Sequence, residues 1–411
     1  MDILLISVVF PYPVDAGGSV GTHKMIEFLR KNHNITLVCP KSSLENQMAL
    51  EALWPNVKIV SFNLPCHIQD DLSIKKIIKS FAGNRKISKE QRFRNAMMLQ
   101  TSDLVNYYFD DLLLKIGNLT FEKKYDLIQV EFIDLAPIVN FLPKNTPKIF
   151  IHHEIRYKRM FLEYSTLKDK TQTDIWKIEN TKTLEIATLN KYDKVISLTE
   201  HDKNYLIADG VDPSKVEVSP LPINIKNHPI NIPFNFQNRL VYLGPEIHFP
   251  NLDAIDWFLT HCWNDLKSQN PKLKLEIIGK WQPKTIQEYS HFKDVTFLGF
   301  VEKLENVMTG AIMIVPLRIG SGMRMKILEG VSWHVPIVST SIGAEGLPMH
   351  HNENCFLADN PGDFCESILK ISKDKELQNS FIDGSKNLIQ SGYSIEDCGK
   401  KREEIFKNLI Q

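Results

Sequence analysis

The stretch from Val315 to Leu347 brings together the cations Arg318, Arg324 and Lys326, the carboxylates Glu329 and Glu345, and the glycines Gly320, Gly322, Gly343 and Gly346. Ala311 to Leu317 is an apolar run of strand length, and the Gly320-Ser321-Gly322 breaker behind it lets a backbone approach a ligand closely. A helix entered from that loop directs unpaired N–H groups and the positive end of its dipole at whatever lies above it. That arrangement favours an anion such as phosphate. Lys326 and Glu329 lie three apart and share one face of the helix, while Ile327, Leu328 and Val331 take the opposite face toward a sheet. Amides and cations for two phosphates, with a carboxylate to accept from a ribose diol, suit a nucleoside diphosphate. The plainer alternative is a common glycine turn followed by a solvated Lys326–Glu329 pair worth about 0.3 kcal/mol.

Other candidates also follow apolar runs. Gly17, Gly18 and Gly21 come after the first run, and their spacing is not the Gly-x-Gly-x-x-Gly of dinucleotide sites. His152-His153-Glu154 follows Lys148–Ile151, with Arg156 and Arg159 behind. A histidine pair suggests a metal, but no third ligand stands at short range, so zinc is not expected. Glu131 closes the run Leu127–Val130. Thr199 is read as the cap of a following helix. Gly244 ends Val241–Leu243, and Asn251 is read as an N-cap. No Asp-x-Asp pair offers itself to a divalent ion, so neither a metal nor a cofactor is expected.

These residues need elements to hold them. Apolar runs alternate with helical patterns twice over, as in parallel sheets covered on both faces. The first set is Ile3–Phe10, helix His23–Lys31, Ile35–Cys39, Val57–Phe62, Leu127–Val130, Lys148–His152 and Lys194–Leu198. The second set is Leu240–Leu243, helix Leu252–Lys267, Leu275–Ile278, Val295–Leu298, Ile312–Leu317 and Pro336–Ser339. Prolines between Pro220 and Pro233 mark a linker, and Ile395–Ile410 is a last charged helix. Two domains follow, at 1–222 and 235–392, with 393–411 joining the first. A chain of 411 residues can bury two such cores.

The 49 basic and 49 acidic residues balance, so no global field argues for nucleic acid. The six cysteines are scattered, as reduced thiols of a cytoplasmic protein would be. Met1–Phe10 is apolar but breaks at Pro11, too short for a signal core or a membrane span. One basic segment has Lys75, Lys76 and Lys79 among isoleucines, with Arg85, Lys86, Lys89, Arg92 and Arg94 after it. It reads equally as a solvated face or as a surface for an anionic membrane.

The segment Pro316-Leu-Arg318-x-Gly320-x-Gly322-x-Arg324-x-Lys326-x-Leu328-Glu329, then Pro336 to Thr340 and Gly343-Ala344-Glu345-Gly346-Leu347, resembles the donor-binding segment of family 4 glycosyltransferases. Gly244 followed by Pro250-Asn251-x-Asp253-Ala254 resembles the same family. The resemblance implies a GT-B fold: α/β, two Rossmann-like parallel-sheet domains facing across a cleft, with a C-terminal helix crossing back to the first. It implies retaining transfer from a nucleotide-sugar to a glycan or lipid-linked acceptor in cell-surface polysaccharide synthesis. On it, Gly17, Gly18, Gly244, Arg318, Gly320, Ser321, Gly322, Arg324, Lys326, Glu329, Gly343 and Ala344 bind the donor. His152 or His153 lies near the transferred sugar, with Glu131 a weaker candidate on the acceptor side, and Lys75, Lys76 and Lys79 meet acceptor or membrane. Ser321 replaces the first of the family's two glutamates, which contacts the sugar, so the donor pocket differs. A sugar-nucleotide epimerase and a non-catalytic carbohydrate-binding protein are the alternatives.

Overall fold

Two all-parallel sheets organise the chain, and each reverses its strand order beside candidate residues. The computed structural model describes residues 1–14, 17–64, 88–100, 110–223, 234–390 and 392–410. Lys75, Lys76, Lys79, Arg85 and Lys86 lie outside the described residues. The chain divides into one unit of Met1–Met160, Leu167–Leu221 and Gly399–Gln411 and a second of Phe161–Thr166 and Pro222–Cys398.

In the first unit, β1 (Asp2–Ile6), β2 (Asn34–Pro40), β3 (Val57–Phe62), β4 (Leu127–Glu131), β5 (Lys148–His152), β6 (Lys194–Ser197) and β7 (Val216–Val218) form a seven-stranded sheet. Its order is β3-β2-β1-β4-β5-β6-β7. All five residues of β4 and of β5 are buried, as strands covered on both faces must be. The run expected to continue to Phe10 stops at Ile6, because the Ser7 side chain folds over to accept from the Val9 amide at 3.0 Å.

In the second unit, β8 (Arg239–Leu243), β9 (Lys274–Ile278), β10 (Val295–Gly299), β11 (Ala311–Val315), β12 (Ile337–Ser339) and β13 (Phe356–Leu357) take the order β10-β9-β8-β11-β12-β13. The helix after β8 starts at Phe249 with His248 at its cap, so Asn251 is a residue inside the first turn and not the N-cap expected. Pro250 sets that turn, since the missing amide hydrogen there has no helical partner to lose.

The last helix spans Ile395–Ile410, as its pattern indicated. From Gly399 onward it belongs to the first unit, where a Cβ at Gly399 would lie 2.3 Å from the Phe28 ring. Arg402, with no exposed surface, donates to the Ser219 hydroxyl at 3.0 Å and its carbonyl at 3.2 Å. Among the described residues no helix is long and apolar enough to cross a membrane.

In open parallel sheets, ligands bind beyond the carboxyl ends of the strands, where the strand order reverses. That point lies between β1 and β4 in the first unit and between β8 and β11 in the second.

Candidate functional site

In the second unit, β8 and β11 deliver Gly244 and the Gly320–Gly322 loop to the switch point. Gly320 has φ +147° and Gly322 φ +75°, conformations that a side chain disfavours. A Cβ at Gly320 would come 3.0 Å from the Arg324 guanidinium, around which this loop is folded. Arg324 donates to the carbonyls of Ser321, Gly322 and Ile342 and lies 3.9 Å from the Glu345 carboxylate. The buried arginine expected to grip a diphosphate therefore ties two loops together.

Arg318 is likewise engaged within its own unit. Its Nε and Nη2 donate to both carboxylate oxygens of Asp253, which is 2 % exposed, on the helix Phe249–Phe258. Burial raises the Asp253 carboxyl, and the Arg318 charge opposes that rise without cancelling it.

Lys326 differs from both. It stands in the first turn of the helix Met325–Ser332 and donates to the Tyr242 hydroxyl at 3.0 Å and to Asn251 Oδ1 at 2.7 Å. Its ammonium also lies 4.4 Å from the centre of the Tyr242 ring. Among the described residues no carboxylate bonds to it. Burial, followed by the Arg324 charge, pushes its pKa down to about 7. The solvated Lys326–Glu329 pair of the plainer alternative does not form: Glu329 accepts from Trp333 Nε1, 2.9 Å away and one turn later. Ile327, Leu328 and Val331 do face the core, each no more than 1 % exposed.

Gly244 acquires a reason from the same group. A Cβ there would come 2.7 Å from the Asn251 carboxamide, so glycine leaves the space that Asn251 fills. Gly343 is fixed by packing as well: its Cβ would meet Ser339 Oγ at 2.4 Å and the Val315 carbonyl at 2.6 Å. Its amide donates to Thr340, which caps the short turn Ser341–Ala344, and Ala344 is buried behind it. Ser321 sits half-buried between the two loop glycines.

In the first unit, Glu131 ends β4 and is 2 % exposed. It accepts from the Thr22 hydroxyl at 2.7 Å and from Gln129 Nε2 at 2.7 Å. Burial would raise this carboxyl, but the His153 imidazole 3.4 Å away, the Thr22 hydroxyl and the Arg402 charge hold it below the usual range. Thr22 lies on the helix that begins at Gly17 and Gly18, which places that helix beside Glu131.

His153 stacks on Phe132, ring centres 3.9 Å apart and 5° from parallel. Phe132 holds φ at +69°, a strained conformation for a bulky residue that typically costs 1–3 kcal/mol, of the kind found clustered at functional sites. His152 points elsewhere. It is 2 % exposed and its Nε2 lies 2.7 Å from Glu185, which is fully buried on the helix Gln172–Leu189. The geometry therefore separates two neighbours that the sequence leaves equivalent. Arg156 pairs with Asp134 and Arg159 with Glu154 at 3.3 Å. Thr199 is the helix cap it was read to be, accepting from the Asp202 amide at 3.0 Å. Of the basic segment, Arg94 is tied to Asp174 by two bonds of 2.9 Å.

Sequence reading missed Tyr242, Thr22, Phe132, Glu185 and Trp333. Tyr242 and Thr22 look like ordinary core positions in a strand and a helix, and only the fold shows what they touch. Trp333 carried a signal, since it stands four residues after Glu329 on one helical face.

Residues 237–374, within the second unit, match the family model described as glycosyl transferases group 1. An uncharacterised 44.6 kDa protein in the cps region of Klebsiella pneumoniae is 22% identical over 351 residues, 78% of this chain and 85% of that protein. Among solved structures, sucrose-phosphate synthase from Thermosynechococcus elongatus has a TM-score of 0.69 at 16% identity, over 99% of this chain and 98% of that one. The Anabaena protein HepE in complex with UDP and glucose has a TM-score of 0.67 at 14% identity, over 100% of both chains. The chain has the GT-B fold, and its second unit carries the region that matches the glycosyl transferases group 1 family.

Proposed function

We propose that the chain is a retaining glycosyltransferase that moves a sugar from a nucleoside-diphosphate donor to a glycan or lipid-linked acceptor, in the synthesis of cell-surface polysaccharide. Lys326 carries the reading: an amine held beside a glycine loop and a helix start at the switch point, with hydroxyl and carboxamide partners and, among the described residues, no carboxylate. An anion completes such a site. The group 1 match over the same residues and the UDP-bound HepE structure support a sugar nucleotide as that anion. The cps-region relative supports polysaccharide synthesis.

In the proposed reaction the bond from the anomeric carbon to the phosphate oxygen breaks, and its electron pair leaves with the diphosphate. Lys326 and the amides of the Gly320–Gly322 loop and helix start meet that charge, and each such donor is typically worth about 100-fold or more in rate. Glu329, oriented by Trp333, accepts from the ribose diol. The acceptor hydroxyl oxygen forms the new bond on the face the diphosphate left, and its proton passes to the departing phosphate oxygen. On this reading His153, held by Glu131 and Phe132, is the histidine near the transferred sugar, and His152 supports the fold. No resident metal or cofactor is invoked. The basic segment with Lys75, Lys76 and Lys79 is proposed to meet an anionic membrane at the cytoplasmic face. Liposome co-sedimentation unaffected by neutralising the three lysines would remove that part.

Thermal stabilisation by UDP, GDP, ADP and CMP tests the donor site, with Glu329→Ala as control. A ligand at about a hundred times its dissociation constant adds about 2.7 kcal/mol to native stability. One nucleotide should stabilise the wild type and not the variant; stabilisation by none of them would remove the donor reading.

A further inference from the structure

The group that holds Lys326 is electrically neutral and fixed from several sides. Asn251 is 6 % exposed, and its Nδ2 donates to the Pro245 carbonyl at 2.8 Å. A carbonyl can only accept, so the amide nitrogen must face Pro245 and the oxygen must face the other way. Asn251 Oδ1 there receives the Tyr242 hydroxyl at 2.7 Å and the Lys326 amine at 2.7 Å. Gly244 leaves the space this carboxamide occupies. An aspartate of the same size would supply a counter-charge at this position, and the chain instead has an uncharged isostere.

The charged and titratable groups around the amine do not supply that counter-charge. On β8 there is Tyr242, whose buried phenol is pushed up and stays neutral. On the helix Phe249–Phe258, Asp253 is engaged by both arms of Arg318. On the helix Met325–Ser332, Glu329 receives Trp333. Arg324, at that helix's start, adds like charge, and its own acid, Glu345, stands 3.9 Å from the guanidinium.

We propose that Asn251 is a positioning residue that keeps Lys326 without a carboxylate, so that the amine takes up a proton from solvent when a nucleoside diphosphate binds. The inference deepens the donor-site reading and rests on it. Asn251 acts through the lysine, whose amine its Oδ1 receives. A neutral amine can donate to Tyr242 and Asn251 as Lys326 does, whereas the arriving phosphate oxygens stabilise the ammonium. The proton taken from solvent joins Lys326 Nζ, and no other bond changes. A lowered pKa of about 7 in the unliganded protein is consistent with that exchange.

The test is calorimetric titration of the full chain with UDP, GDP and inorganic pyrophosphate at pH 8, where the terminal phosphate of the nucleotide is already ionised. Repetition in buffers of different ionisation enthalpy counts the protons taken up. The expected result is an uptake close to one proton in the wild type, with affinity weakening about tenfold per pH unit above pH 8. Asn251→Asp gives the ammonium a permanent partner; its uptake should fall toward zero and its affinity should lose the pH dependence. Asn251→Leu, which adds no charge, should weaken binding and keep the uptake. Binding without proton uptake in the wild type would overturn this proposal while leaving the donor site standing. No binding by any of the three probes at pH 6 or pH 8 would overturn the donor site and this proposal with it.

Discussion

Glu131 in the first unit and Lys326 in the second both stand at a switch point, one ending a strand and the other opening a helix after a strand. Their surroundings are opposite. Glu131 is met by His153, Thr22 and Gln129, and beside it His152 meets Glu185 and Arg156 meets Asp134. Among the described residues, Lys326 bonds to a phenol and a carboxamide and to no carboxylate. A group whose charge is answered inside its own unit holds a shape. A group whose charge is not answered is suited to a ligand that brings the missing charge. The first unit thus offers a pre-set imidazole and carboxylate, and the second an anion site.

The largest effect that sharpens this contrast concerns the adjacent histidines. His152→Ala leaves Glu185 buried beside a cavity and should destabilise the chain by about 2–5 kcal/mol in chemical denaturation. His153→Ala, with its ring at the edge of the buried region, should cost less stability and much more turnover. Equal losses of stability would erase the distinction between them.

The second effect is pH dependence. The folded Lys326 pKa of about 7 lies below its ordinary value of 10.5, so between these limits the unfolded chain binds the extra proton. Stability contributed by this group must therefore rise as pH rises through that window, by at most about 1.4 kcal/mol per pH unit, and the rise should be absent in Lys326→Met. A denaturant midpoint whose pH dependence is identical in the two proteins would mean that the amine is answered after all.

The smallest is Trp333→Phe, which removes one hydrogen bond to Glu329. About 0.5–1.5 kcal/mol of donor affinity should go with it, at unchanged stability. No change in affinity would mean that the indole does not orient the carboxylate.

The contrast also explains what could be read from the sequence. Strands with long apolar runs, such as Leu127–Val130 and Lys148–His152, declare themselves because burial on both faces demands it. β7 and β13 were not anticipated, since Val216–Val218 and Phe356–Leu357 are edge strands too short to carry a period. Lys326, Glu329 and the two loop glycines were legible because they lie close together in one ordered segment. Their bonds were not: Lys326 takes Tyr242 from β8 and Asn251 from the helix Phe249–Phe258, and Arg324 takes loop carbonyls. Local spacing shows which residues share a face, whereas the partners of Lys326 lie 84 and 75 positions away. His152 and His153 illustrate the same limit: one ends β5 and the other follows it, and nothing local says which ring meets Glu185.

The measurement that tests the central claim most directly is hydrogen exchange of the full chain with and without the nucleoside diphosphate that stabilises it. The account predicts new protection of amides in Gly320–Ile327 and around Gly244–Asn251, lost in Lys326→Met. Protection confined to other segments, or unchanged by that substitution, would contradict the assignment of the second unit's switch point as the donor site.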